Sequence, residues 1–196
     1  MLGMDRVWDG IDHAYTYGYA LEELRHGDVN KFLLTFYGSL AYGMTRSTYS
    51  AVEVTRMQEG FNEGTLPHTY SNTQQLRMLR MMLVKEEGGG LWLAAGAPKA
   101  WLDTRDGFAV TNAPTDYGTL TYRVLPEPAA KLVRAVVDPV QSGVRRPAEV
   151  HLRLAAGFGT LNSATLNGKP VAIRGDSVVF SGSALSNRIE VTASYR

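Results

Sequence analysis

Residues 45–71 bring Glu53 together with two arginines, a histidine and two tyrosines: Arg46, Arg56, His68, Tyr49 and Tyr70. No apolar period survives in this stretch for more than a few residues. Long irregular connections are uncommon in compact domains and often carry function. A carboxylate beside an arginine and aromatic rings can act as a general acid or base, or hold sugar hydroxyls. Tyrosine adds a flat apolar face with a polar edge. Glu53 is therefore the candidate catalytic residue, and Tyr49, Arg56, His68 and Tyr70 are candidate substrate-binding residues. The competing reading is a surface loop in which Glu53 pairs with an arginine and the other groups are solvated.

Glycoside hydrolysis normally needs a second carboxylate at a set separation. Glu59 and Glu63 are the nearby options, and solvated side chains are the plainer reading of both. His13, His26, His68 and His151 are scattered, with no pair at i, i+4 spacing, so no metal site is expected. The chain has no cysteine, which excludes a thiolate nucleophile and thiolate zinc sites. It has no Gly-x-Ser-x-Gly elbow, no Walker-type loop and no dinucleotide fingerprint, and no cofactor is expected.

The elements that must position these residues are legible from periodicity. Asp12 can cap a helix over residues 13–26, and Gly27 stops it. Asp28 can cap a second helix over 29–44, whose Phe32, Leu33, Phe36, Tyr37, Leu40, Ala41 and Met44 keep helical spacing. The short connection makes the two an antiparallel hairpin. Ser71 and Gln74 have capping-box spacing and open a third helix to about residue 86 or 87. Its stripe, Leu76, Leu79, Met82 and Leu83, is widened by Met78 and Met81, so it needs neighbours on most sides. Residues 1–10 carry no assignable element.

Gly88-Gly89-Gly90 is the clearest break, and the apolar period changes from 3.6 to 2 beyond it. Seven to nine short strands with turn signals at regular intervals follow, with Asn167-Gly168 as the strongest hairpin signal. The expected fold class is α+β: a helical segment over 1–87, then an antiparallel β-sandwich over 91–196.

The chain has 196 residues, 20 basic and 19 acidic side chains and a net charge of +1. That balance gives no basic stripe for nucleic acid, and no nucleic-acid partner is expected. No apolar run is long enough to span a bilayer, so no membrane partner is expected. No signal peptide is readable, which would place a complete chain in the cytoplasm.

The order of parts resembles the C-terminal portion of bacterial six-hairpin, α/α-toroid glycoside hydrolases with their trailing β-sandwich. The likeness is carried by Pro67-His68, by residues 76–86 (LRMLRMMLVKE), by Leu91-Trp92-Leu93 and by residues 97–102 (APKAWL). Residues 112–118 (NAPTDYG) and 165–169 (TLNGK) continue it. The resemblance implies hydrolysis or binding of a carbohydrate, with Glu53 and His68 on loops at the cleft end of a toroid. Only about three helices precede the sandwich, so most of such a toroid is absent here. The wide apolar stripes then imply self-association or a partner chain that completes the helical layer. The alternatives are a non-catalytic carbohydrate-binding or structural module, with Trp92 or Trp101 as a sugar platform, and a subunit that needs a second chain.

Overall fold

In the computed structural model, residues 2–4, 7–142 and 145–196 are described, and side chains from residue 9 onward. Among the described residues the fold is α+β, with three α-helices and three sheets. The chain divides into two compact units, Met1–Met81 and Met82–Arg196.

The first unit opens with strands, although residues 1–10 carry no readable periodicity. β1 (Leu2–Met4) and β2 (Val7–Asp12) pair antiparallel, and β2 pairs in turn with β3 (Val54–Arg56). β3 pairs with β4 (Phe61–Glu63), giving a four-stranded sheet of order β1-β2-β3-β4. The polar stretch 45–71 is thus partly a β-hairpin docked on the N-terminal strands. Residues 1, 5 and 6 lie outside the described residues.

Helices α1 (Thr16–Arg25) and α2 (Val29–Tyr42) are joined by a short turn in which Gly27 takes φ +72°. Asp28 caps α2 by accepting the Lys31 amide at 3.2 Å. Asp12 caps nothing: it lies on β2 and its Oδ1 accepts the Ala14 amide at 2.8 Å. Helix α3 (Thr69–Leu83) begins two residues before Ser71, so the expected capping box does not form. Ser71 is buried inside the first turn, and His68 stands at the N-cap.

The helix also ends early. Val84–Glu87 is strand β5, and it pairs antiparallel with β6 (Gly90–Leu93). Gly88 and Gly89 take φ +55° and +78°, so this glycine run is a hairpin turn within the second unit. Tertiary pairing overrides the helical propensity of Lys85, Glu86 and Glu87.

Two sheets build that second unit. The six-stranded sheet comprises β7 (Phe108–Thr115), β8 (Gly118–Glu127), β9 (Leu132–Val137), β11 (Leu161–Leu166), β12 (Lys169–Pro170) and β15 (Ile189–Tyr195). Its order is β12-β11-β15-β9-β8-β7. The five-stranded sheet adds β10 (Glu149–Arg153), β13 (Ala172–Arg174) and β14 (Ser177–Ser181), in order β13-β14-β10-β6-β5. The expected purely antiparallel sandwich is corrected here: β6 and β10 run parallel, Trp92 opposite His151. The long connection between them, which carries β7 to β9, makes a parallel pair possible.

Inner-facing residues of both sheets form one apolar cluster, including Leu93, Leu120, Val124, Val133, Leu152 and Val178. Tyr122 is buried in it and donates its hydroxyl to the Leu83 carbonyl at 2.8 Å. Asn167 and Gly168 take φ +50° and +79°, the pair of positive values a type I′ hairpin demands.

Candidate functional site

Glu53 immediately precedes β3, with its side chain half-buried. Its Oε2 accepts the Thr65 amide at 2.8 Å, and its carbonyl accepts the His13 amide at 2.9 Å. Gly64 makes the carboxylate's position possible. It takes φ +87°, and a Cβ there would overlap Oε2. Glu53 is therefore fixed by backbone contacts at the base of the β3–β4 hairpin rather than paired with Arg56.

Arg56 is paired elsewhere, with three carboxylates. Its Nε meets Asp9 Oδ1 at 2.6 Å, Nη1 meets Glu63 at 3.0 Å and Nη2 meets Glu59 at 3.4 Å. The Asp9 side chain is enclosed and also accepts the Gln58 amide at 3.2 Å. The hydrogen bond it donates to Glu63, with that to Asp9, holds the guanidinium above its ordinary range. This clasp ties β2 to both strands of the hairpin. It occupies Arg56, Glu59 and Glu63 together.

His68 Nδ1 faces Ser71 Oγ at 2.6 Å and the Ser71 amide at 3.4 Å. An amide can only donate, so Nδ1 is the acceptor and caps α3. The His68 ring meets Tyr70 edge-on, with centroids 6.4 Å apart. Tyr70 is about half exposed and Tyr49 is 74% exposed. Tyr49 takes φ +52°, a left-handed conformation uncommon for a bulky residue.

A network of contacts gathers these residues at one end of the helical unit. The Val52 amide reaches the Gly43 carbonyl, the His68 amide reaches the Ala51 carbonyl, and Met44 bridges Ala51. A Cβ on Gly43 would lie 2.5 Å from His13 Nδ1, so the segment preceding α1 touches the end of α2. Glu53, His68, Tyr49 and Tyr70 therefore share this end. Tyr15 and Tyr42, both exposed, join them from the start of α1 and the last residue of α2. Neither was among the candidate site residues, because helical spacing alone does not show which tyrosines meet the 45–71 stretch.

His13 is the hidden centre of this end. It is fully buried, and Nε2 lies 3.0 Å from Thr55 Oγ1. The Thr55 hydroxyl donates to the Tyr42 carbonyl at 2.5 Å, so it must accept from His13, which fixes the neutral Nε2–H tautomer. His13 Nδ1 is then a buried acceptor with no partner. Burial pushes the imidazole down from 6.5 to about 4.

Trp92 is no open platform. Lys85 Nζ sits 4.4 Å from its ring centroid, and the His151 ring stacks 5.1 Å away at 14°. Lys85 and His151 belong to the strands on either side of β6, so both faces of the indole are occupied. Trp101 packs at a tilt against Phe108, 5.3 Å between centroids.

Among the described residues, no group of three or more His, Asp or Glu side chains is arranged to hold a metal ion. No described helix is long and apolar enough to cross a membrane. No protein-family model matches the chain, and no curated protein matches its sequence.

Proposed function

We propose that the chain is the C-terminal part of a glycoside-hydrolase-like protein. Its first unit is a piece of an α/α toroid, and its tyrosine-bearing end forms one wall of a carbohydrate site. One observation carries this reading. Of the thirteen large apolar or aromatic side chains exposed among the described residues, twelve lie in the first unit; only Leu125 lies in the second. Leu34 on α2 is 71% exposed, and Leu76 on α3 is 62% exposed. A finished domain leaves such residues scattered, whereas this helical unit concentrates them. Further helices, from the same protein or from a second chain, would cover them.

Among the described residues, nine of the ten polar or charged residues buried as whole residues also belong to the first unit, including Gln74, Gln75, Ser39 and His13. A polar interior beneath exposed tyrosines suits a ligand-facing end better than a purely structural one. Tyr49 and Tyr70 would stack on sugar rings. Glu53 would act on a sugar hydroxyl or on the glycosidic oxygen. Its second carboxylate partner would come from the missing wall, since Glu59 and Glu63 are held by Arg56. Arg56 and His68 then position the hairpin and α3 instead of touching substrate.

A non-catalytic carbohydrate-binding role is the second reading. It is favoured by the engagement of the Glu53 carboxylate with the Thr65 amide. Glycan titration of the chain separates the two from a structural module. Binding of a glycan that Tyr49→Ala with Tyr70→Ala weakens about tenfold supports a carbohydrate wall. Binding unaffected by both substitutions removes it.

A further inference from the structure

We infer that the second unit carries its own binding pocket for a neutral, polyhydroxylated ligand of the sugar class, on the outer face of the six-stranded sheet. The pocket has a volume of about 290 Å³ and is lined by Thr111, Asn112, Thr119, Thr121, Asp138, Pro139 and Gln141. It belongs wholly to the sandwich and does not rest on the role proposed for the helical unit.

Its origin is a coincidence of two irregularities. On one side of β8, the pairing with β7 passes from Val110–Tyr122 to Ala113–Leu120, so Thr111 and Asn112 together oppose Thr121. On the other side, Val137 pairs with Tyr122, but Gln141 pairs with Thr119, leaving an extra residue at Asp138 to Val140. Both neighbours of β8 bulge outward at the same level. Thr119 and Thr121, the outward-facing partners of buried Leu120 and Tyr122, floor the gap. Bulges re-aim side chains and are over-represented beside active sites.

The second bulge keeps its backbone bonded. The Asp138 amide donates to the Thr121 carbonyl at 3.0 Å, and Thr119 and Gln141 exchange amide bonds at 3.0 and 3.2 Å. Asn112 takes φ +54°, and its amide donates to Thr121 Oγ1 at 3.0 Å. The Asn112 carboxamide is thereby held over the threonine floor, 3.5 Å from Thr121 Oγ1.

The lining decides the ligand class. Three threonine hydroxyls and two carboxamides both donate and accept, the property that matches vicinal hydroxyls. Asp138 is the single ionisable group in the lining, and Arg188 reaches it only at 3.9 Å. A phosphate or carboxylate ligand would meet a carboxylate and no lining cation. An apolar ligand would find only Pro139. A single carboxylate is too little for a dedicated divalent-cation cage.

The test is amide chemical-shift mapping of the 196-residue chain titrated with glucose, galactose, xylose and rhamnose, with inorganic phosphate as control. The expected result is saturable shifts at Thr111, Asn112, Thr119, Thr121 and Gln141 for at least one sugar and none for phosphate. Asn112→Gly keeps the left-handed backbone and removes only the carboxamide; Asp138→Asn removes only the charge. Each should weaken binding about tenfold while leaving the thermal melt in place. Tyr49→Ala with Tyr70→Ala should leave these shifts unchanged, which separates this pocket from the helical end. No shifts at these amides with any of the four sugars, equal shifts with phosphate, or affinity unchanged in both pocket variants would overturn the proposal.

Discussion

Glu53 Oε2 accepts the Thr65 amide at 2.8 Å, and this bond closes the base of the β3–β4 hairpin. The carboxylate is thus a structural acceptor, and the acid role proposed for it must coexist with that bond. Gly64 is the residue that lets both roles coexist, since a Cβ there would overlap Oε2 at a φ of +87°. Gly64→Ala should destabilise the chain by about 1–3 kcal/mol, through strain and displacement of Glu53. A chemical-denaturation midpoint equal to that of the parent chain would show that the hairpin base does not hold the carboxylate.

His13 gives the fold a defined acid sensitivity. Its folded value of about 4 lies below its ordinary 6.5, so the folded state favours the neutral ring. The stability this contributes is fully present above pH 6.5 and is lost as pH falls towards 4. The span of the shift corresponds to about 3 kcal/mol. Melting temperature recorded from pH 7 to pH 4 should fall across that window. His13→Gln should flatten the fall, whatever its own cost in stability. An identical slope in the variant would assign the acid sensitivity to other groups.

The Arg56 clasp should matter more for folding than for ligand contact. Arg56→Met leaves the enclosed Asp9 side chain beside two other carboxylates without their cation. The melting temperature should drop, and Arg56→Lys should restore only part of it, because an ammonium cannot fork across three partners. A variant with the parental melting temperature but lost glycan binding would return Arg56 to the ligand.

In the sandwich, Tyr122→Phe removes the donor to the Leu83 carbonyl and leaves that acceptor buried. The expected cost is about 1–2 kcal/mol in an equilibrium unfolding curve. A cost within error of zero would mean that the Leu83 carbonyl finds another donor.

The sequence makes the two longest helix patterns and most sandwich strands readable, because their periods run for many residues. It hides the four-stranded sheet, whose strands β1, β3 and β4 have only three residues each, too few for an alternation to register. The Glu53–Arg56 spacing suggests an ion pair, but side chains three apart on extended backbone point to opposite faces, and Arg56 finds Asp9 from a distant strand instead. His68, not the Ser71–Gln74 pair that the spacing suggests, caps α3, its Nδ1 accepting the Ser71 amide. The parallel place of β6 beside β10, in contrast, rests on a strand far along the chain. No local pattern carries that information. The double bulge around Thr121 is invisible for the same reason, since each half needs its partner strand to be known.

Glu53→Gln tests the central claim most directly, because glutamine keeps an acceptor for the Thr65 amide and removes only the ionisable group. The measurement is kcat/KM for glycoside hydrolysis, in a form of the protein whose helical layer is completed by further helices or by a partner chain. A loss of about 10²–10⁴-fold with an unchanged melting temperature is the predicted result for an acid or base. Activity unchanged within a few-fold would contradict it and leave Glu53 as a hairpin residue alone.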